Sequence, residues 1–355
     1  MKKQPYSKIV EGNPDNPMQK NNSLDEFYIR RCIELAKNGL GTTYPNPLVG
    51  SVIVHNGKII GEGWHQKAGE AHAEVHAVHS VKDKTLLPEA TIYVSLEPCS
   101  HFGKTPPCCD LILAHKIPNV VIGTPDPFAK VSGNGIRKLQ EAGTNVTVGV
   151  LENECNELNK RFFTFHTKKR PYIILKWAQT SDGYIAPAVR EAQKPVWITN
   201  TYSRQLVHKW RSEEQAILVG TQTVVDDNPT LNVRDWTGNN PVRIVLDKNN
   251  RISKESFIFD SSSKTVLIDN QVIDFDKNPA TQIAGYLYKE GIQSVIIEGG
   301  RQTLQTFIDA GLWDEARVFF GEASFSEGTK APVITGQAVQ KSKIGSDELV
   351  IYSNL

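Results

Sequence analysis

The chain has no apolar run approaching the roughly 20 residues that a membrane-spanning helix needs. Its first 22 residues, MKKQPYSKIVEGNPDNPMQKNN, lack the apolar centre of a signal peptide. These absences point to a cytoplasmic protein with no membrane partner, and residues 1–23 read as a polar, mobile extension. Cysteine is sparse and odd in number, with five in 355 residues, which argues against a disulfide framework and for metal binding or simple burial. Neither sign of charge dominates: the formal net charge is +1, so no surface built to track a nucleic-acid backbone is expected. The Gly-x-Gly-x-x-Gly fingerprint of dinucleotide-binding folds is missing, as are internal repeats and low-complexity stretches.

What is present is ordinary globular composition, with 39% hydrophobic and 22% charged residues, in a chain long enough for two cores. Helical spacing runs through FYIRRCIELAKNGL, and TTYPNPLVG follows as a proline-broken loop. GSVIVH and KIIGEGW flank Asn56-Gly57, a hairpin signal because both turn residues tolerate positive φ. AHAEVHAVHSVKD is a helix candidate, TIYVSL a strand, and a short helix begins near Pro107. Strands NVVIGT and NVTVGV flank the helix GIRKLQEAG, and ENECNELNKRFFTFHTKK closes this half as one helix. The alternation predicts an α/β sandwich over residues 24–168. A second α/β series over 169–355 starts with the strand YIILKW and continues through SRQLVHKWR, AILVG, VRIVLD, TVLID, TQIAGYLYKEG, SVIIEGG, TLQTFIDAGL and EARVFF.

The chemistry concentrates in HAEVHAVHSVKDKTLLPEATIYVSLEPCSHFGKTPPC, residues 72–108. A catalytic zinc commonly takes three protein ligands and keeps a fourth position for water. His72, Cys99 and Cys108 supply three, with His72 near a helix start and Cys99 just after a strand, where helix N-termini favour thiolates. Glu74 is then the carboxylate that moves the proton of the attacking water. His-x-Glu followed by Pro-Cys-x-x-Cys is the signature of zinc nucleobase deaminases. Here eight residues, SHFGKTPP, replace the usual two between the cysteines. The alternatives are an accidental trio of buried residues or a structural zinc site, to which His76, His79, His101 or Cys109 would supply a fourth ligand. His76 and His79 follow His72 at helical spacing and read as packing or substrate-shell residues. Cys109 and Cys32 read as buried thiols, Cys155 as a core or surface residue, and His65 as either a substrate neighbour or a surface histidine.

These stretches carry a resemblance. PNPLVG, GWHQKAGEAHAEVHAV, YVSLEPCSHFGKTPPCCD and DPFAKVSGNGI in the first half, with ILKWAQTSDGYIA, VWIT, DNPTLNVR and IIEGG in the second, resemble the bifunctional riboflavin-biosynthesis deaminase/reductase family. The long spacing CSHFGKTPPC is what that family shows. The resemblance implies a cytidine-deaminase-like α/β/α sandwich followed by a dihydrofolate-reductase-like α/β domain. It implies hydrolytic deamination of 2,5-diamino-6-ribosylamino-4(3H)-pyrimidinone 5′-phosphate, then reduction of the product's ribosyl group to ribityl with NADPH. One zinc held by His72, Cys99 and Cys108, Glu74 as proton shuttle, and a substrate contact from Asn46 carry over, as does homo-oligomerisation through the second half. The partners implied are small pyrimidine ribotides rather than nucleic acid.

In the second half, SVIIEGGRQTLQTFIDAG is a strand, a Gly-Gly turn and a helix, where backbone N–H groups can receive a phosphate. The resemblance implies that Gly300, Arg301, Gln302, Thr303, Leu304, Gln305 and Thr306 line the cofactor, with Ala178, Trp197, Thr223 and Asp227 completing its site. Glu298, Arg211, Arg234 and Leu231 would face the substrate, and a sugar phosphate suits guanidinium partners. No proton donor is evident; Asp182 in TSDG is a candidate, although an aspartate before glycine is commonly a turn residue. Two departures from the family stand out. Pro195 replaces a substrate-contacting serine, and Lys248 replaces a cofactor-contacting serine, where it would pair with the additional phosphate of NADPH.

Overall fold

The computed structural model describes residues 17–102, 106–127, 133–190 and 192–354. Residues 1–16 of the expected extension therefore lie outside the described residues, as do parts of the CSHFGKTPPC and DPFAKVSGNGI stretches, whereas 17–23 are helical. The chain forms two compact units. The first comprises the residues up to Asn38 with Leu48–Leu158, and the second comprises Gly39–Pro47 with Asn159–Leu355.

In the first unit, helix α1 (Pro17–Ala36) precedes the hairpin β1 (Gly50–His55) and β2 (Lys58–Trp64). Then follow α2 (Ala73–Ser80), β3 (Thr91–Leu96), α3 (Cys108–Ala114), β4 (Asn119–Thr124), α4 (Asn134–Glu141), β5 (Asn145–Val148) and α5 (Glu152–Leu158). The sheet order is β2-β1-β3-β4-β5, antiparallel across the hairpin and β1/β3, then parallel. Strand alternation sorts the two faces. Ile53, Ile92, Val94, Val120 and Ile122 meet Ala77 and Val78 of α2, Ile112 of α3 and Leu139 of α4 in one core. Tyr93 points the other way, where Tyr28 of α1 packs 4.8 Å from its ring and the Cys32 thiol donates to its carbonyl at 3.4 Å. This is the α/β/α sandwich expected. Gly63 permits the close seat of α2, because a Cβ there would lie 2.4 Å from the Ala77 nitrogen.

The second unit opens with α6 (Lys160–Lys168), β6 (Tyr172–Gln179), β7 (Tyr184–Pro187), α7 (Thr201–Glu213), β8 (Ala216–Gly220), α8 (Thr221–Asp227) and β9 (Val242–Leu246). It continues with β10 (Thr265–Ile268), α9 (Pro279–Lys289), β11 (Ser294–Glu298), α10 (Arg301–Asp309), β12 (Glu315–Phe320), β13 (Gly328–Lys330), β14 (Gln337–Ile344) and β15 (Asp347–Ser353). An eight-stranded sheet runs β10-β9-β8-β11-β6-β12-β15-β14, parallel as far as β12 and antiparallel beyond it. β7 and β13 pair separately. α9 and α10 cover one face through Ile283, Leu287, Leu304 and Phe307, while Val207 and Trp210 of α7 cover the other with Ile174, Ile296 and Phe319.

The units part between Leu158 and Asn159, ten residues before the position read from the sequence, and the single helix expected there breaks at Asn159 into α5 and α6. Charge pairing explains the shift. α6 sends Arg161 into a buried two-bond pair with Glu214, and Lys160 to Glu315 at 2.9 Å, so the helix is bound to the second unit. The loop Gly39–Pro47 joins the same unit through Tyr44, whose hydroxyl meets Ser294 at 3.0 Å, and Pro45, whose carbonyl accepts from Gln293 at 2.7 Å. Among the described residues no helix is long and apolar enough to cross a membrane.

Candidate active sites

In the first unit, two helix starts and a strand end converge. His72 is the N-cap of α2, Glu74 lies in its first turn, Cys99 follows β3, and Cys108 is the first residue of α3. His72 Nδ1 lies 3.6 Å from Cys99 Sγ and 3.3 Å from Cys108 Sγ. The three ligand atoms all fall within 4.8 Å of one another. A tetrahedral zinc with Zn–S near 2.3 Å and Zn–N near 2.0 Å has ligand-to-ligand edges of about 3.5–3.8 Å, so the residues fit the ion.

Among the described residues the cluster has three members, which leaves a position for water. Cys109 turns away, its thiol donating to the Pro98 carbonyl at 3.3 Å, and His79 and His101 are exposed. Cys99 is pulled down to about 4 by a hydrogen bond from the Cys108 thiol and by His72, while that bond and burial push Cys108 up. Thiolates are the form that holds a divalent cation, so binding one releases the thiol protons. All five cysteines are free thiols.

Glu74 is 3% exposed, and its Oε2 has no hydrogen-bond partner among the described residues. Burial raises its pKa, opposed by His72. A buried carboxylate oxygen without a donor is costly unless something else uses it, and here it lies beside the cluster. Two neighbours differ from or add to the sequence reading. His65 is buried rather than on the surface, its Nδ1 3.0 Å from the Ala71 carbonyl and its ring edge-on to His72 at 5.4 Å. Glu97 was not singled out, although it stands in the quoted YVSLEPC. Its carboxylate accepts from the N–H groups of Asp126, Gly133, Gly135 and Ile136 at 2.9–3.4 Å and fixes the Pro98-Cys99 turn against the start of α4. Asn46 sits in the Gly39–Pro47 loop, its N–H donating to the Thr43 carbonyl at 2.7 Å.

In the second unit a cavity of about 1080 Å³ opens at the carboxyl ends of β6, β8 and β11, where parallel sheets commonly bind ligands. Ala178, Trp197, Thr223, Asp227, Arg211, Leu231, Arg234 and Glu298 all line it. Of the segment 300–306, Gly300, Arg301, Gln302, Gln305 and Thr306 line it too, but Thr303 and Leu304 do not. Helical period is the reason. Leu304 is fully buried in the core with Phe307 and Ile308, and the Thr303 hydroxyl packs over Gly220. Leu231 has φ 52°, a left-handed conformation uncommon outside glycine and often held at functional sites.

The cavity floor is a charge cluster. Glu298 receives a forked pair from Arg211, Nε to Oε1 at 3.2 Å and Nη2 to Oε2 at 2.8 Å, and Lys176 Nζ lies 3.7 Å from Oε2. Burial alone would raise Glu298, yet Arg211 and Lys176 hold it down to about 2. Burial lowers Lys176. Lys176 and His208 were missed from sequence. Lys176 stands in ILKWAQ, where a lysine within a hydrophobic strand is the signal available.

Arg190 pairs with Asp227, and Arg204 with Asp235 at 3.1 Å while stacking 4.8 Å from Trp197. Arg234 meets only the Thr230 hydroxyl at 3.3 Å, with no carboxylate within ion-pair distance among the described residues. Asp182 and Lys248 do not line the cavity. Asp182 is a turn anchor, accepting from Thr180, Ser324 and the Ser326 N–H. Lys248 pairs with Asp276 at 2.6 Å.

Known proteins divide the chain in the same way. Residues 22–124 match the cytidine and deoxycytidylate deaminase zinc-binding region, and 171–348 match the RibD C-terminal domain. The molecule is thus a zinc-type deaminase joined to a reductase, with zinc and a nicotinamide cofactor as the groups these domains use. A riboflavin biosynthesis protein RibD of Aquifex aeolicus is 39% identical over 90% of this chain and 93% of its own length. The Escherichia coli RibD is 37% identical over 83% of this chain and 87% of its own. The crystal structure of a diaminohydroxyphosphoribosylaminopyrimidine deaminase/5-amino-6-(5-phosphoribosylamino)uracil reductase from Thermotoga maritima matches with TM-score 0.85 and 37% identity, covering 94% of this chain and 99% of that one. The chain belongs to the RibD family of bifunctional riboflavin-biosynthesis enzymes, and it carries both the deaminase and the reductase of that family.

Proposed function

We propose that the first unit deaminates 2,5-diamino-6-ribosylamino-4(3H)-pyrimidinone 5′-phosphate and that the second reduces the ribosyl group of 5-amino-6-(5-phosphoribosylamino)uracil to ribityl with NADPH. The observation that carries this reading is the three-ligand cluster with the unpartnered oxygen of buried Glu74 beside it. His72, Cys99 and Cys108 hold one zinc, which supplies a water acidic enough to attack at neutral pH. Glu74 takes the proton of that water and delivers it to the departing amino nitrogen. Its burial and raised pKa suit a group that must hold the proton between the two steps. Asn46 is assigned to the substrate.

In the second unit the bound NADPH would be the source of the hydride for the sugar C1. Gly300, Arg301, Gln302, Gln305 and Thr306 bind the cofactor with Ala178, Trp197, Thr223 and Asp227, and Arg301 faces a phosphate at the start of α10. Arg234, a cavity guanidinium whose side chain meets only a hydroxyl among the described residues, takes the substrate phosphate. Arg211 is occupied by Glu298 and orients that carboxylate toward the sugar. Lys176 is the proton donor we assign. It is a half-buried amine at the cavity floor with a lowered pKa, and Glu298 holds it in place. The chain assembles as a homo-oligomer through this unit, which sedimentation tests.

The test of the function is metal analysis combined with two assays. Zinc at one per chain is expected, and chelation should abolish ammonia release from the diamino substrate while sparing NADPH oxidation on the deaminated one. Ammonia release by metal-free protein would overturn the reading.

A further inference from the structure

The loop that carries Leu231 and Arg234 is held by one face of α7. His208, one helical turn before Arg211 on that face, is 1% exposed and lines the cavity. The Arg234 backbone N–H donates to His208 Nδ1 at 3.1 Å. That bond requires a lone pair at Nδ1, so the ring hydrogen sits on Nε2, 3.7 Å from Asp235 Oδ2. Two further contacts bind the same loop to α7: Arg204 to Asp235 at 3.1 Å, and Arg211 Nη1 to the Asn232 carbonyl at 3.3 Å. The helix itself is a firm base. Asn200 caps its start by accepting from the N–H groups of Tyr202 and Ser203, and Val207 and Trp210 lock it to the sheet core.

We propose that His208 is a positioning residue for reduction: its neutral imidazole, accepting from the Arg234 N–H, fixes the loop that presents Arg234 to the substrate phosphate. The inference rests on the reductase reading given above. The surroundings keep the ring neutral. Burial and then the neighbouring Arg211 push its pKa down to about 4, with Arg234 acting in the same sense and Asp235 and Glu298 opposing. A protonated ring would set one N–H against another and release the loop. Among the described residues no carboxylate holds the Arg234 side chain, so its aim depends on the backbone that His208 secures.

The test contrasts His208→Asn with His208→Gln in the full-length protein. The asparagine Oδ1 stands near the position of the imidazole Nδ1, whereas the glutamine amide reaches toward the Nε2 position. For His208→Gln the KM for the phosphorylated aminouracil should rise about tenfold, with kcat and the KM for NADPH little changed, as expected when one buried backbone donor is left unpaired. His208→Asn should stay near the unmutated value. Substrate affinity measured by calorimetry, without turnover, should move in parallel. If calorimetry shows the Gln variant binding as tightly as the unmutated protein, or the Asn variant as weakly as the Gln variant, the assignment is wrong. If the unmutated protein binds the substrate but never oxidises NADPH, the reductase reading fails instead, and the calorimetric contrast still judges the role of His208.

Discussion

The two units solve the problem of gathering charge in opposite ways. In the first, the working groups come from one short stretch, and two helix N-termini bring them to one point. In the second, they come from β6, α7, α8, β11 and α10, elements far apart in sequence that meet only because the parallel sheet places its strand ends together. Among the described residues the first site leaves a carboxylate oxygen unpartnered, whereas the second pairs its central charges, Arg211 and Lys176 with Glu298 and Arg190 with Asp227, and leaves Arg234 without a carboxylate. A site built from local spacing is fragile at single ligands. One built from pairs should yield in steps.

The largest expected effect follows from that difference. Cys108→Ser should lose zinc and lower ammonia release by about a thousandfold or more, with NADPH oxidation on the deaminated substrate intact, as read by metal analysis and the two assays. Glu298→Gln comes next. It leaves Arg211 and Lys176 without their shared carboxylate, and breaking such a buried group costs about 3–5 kcal/mol. NADPH oxidation should collapse and thermal melting of the second unit fall, while ammonia release persists.

A paired substitution then separates core from cavity on α10. Leu304→Ala should cost about 2–5 kcal/mol of stability without changing the KM for NADPH. Gly300→Ala should melt as before, since a Cβ there would meet only the Thr223 hydroxyl at 3.9 Å, yet raise that KM by crowding the cofactor. Acid sensitivity is subtler. His208 is lowered from 6.5 to about 4, and Glu298 from 4.5 to about 2. Each binds fewer protons folded than unfolded, so its stabilisation is whole above 6.5 or 4.5 and is lost as the pH falls toward the folded value. Of these two groups only the histidine titrates between pH 7 and 5, so melting of His208→Asn should fall less over that range than melting of the unmutated protein. The smallest effect belongs to Pro195→Ser. A regained hydroxyl should lower the substrate KM about threefold, about what one hydrogen bond contributes.

The same contrast governs how much could be read without coordinates. The trio of His72, Cys99 and Cys108 with Glu74 was legible because its logic is local: a histidine at a helix start, a cysteine after a strand and another at the next helix. The Gly-Gly turn before α10 lies on the cavity, but assigning every residue from 300 to 306 to the cofactor ignored helical period, and Leu304 and Thr303 turn inward. Lys176 and His208 were not legible because their meaning is tertiary. The lysine matters because β6 pairs with β11 and places it beside Glu298, and the histidine because a loop beginning 20 residues later folds back onto α7. The strand pair β14 and β15 was missed because QAVQKSKI is mostly exposed and carries little apolar alternation. The break between α5 and α6 was missed because the ion pairs that bind α6 to its unit lie far along the chain, at Glu214 and Glu315.

The central claim is that two independent sites work in sequence on one chain. Its most direct test is NADPH oxidation by zinc-loaded Glu74→Gln, supplied separately with the diamino substrate and with its deaminated product. The account predicts oxidation with the product alone, because only the proton shuttle of the first site is lost. No oxidation with either compound, while the unmutated protein still releases ammonia, would contradict it.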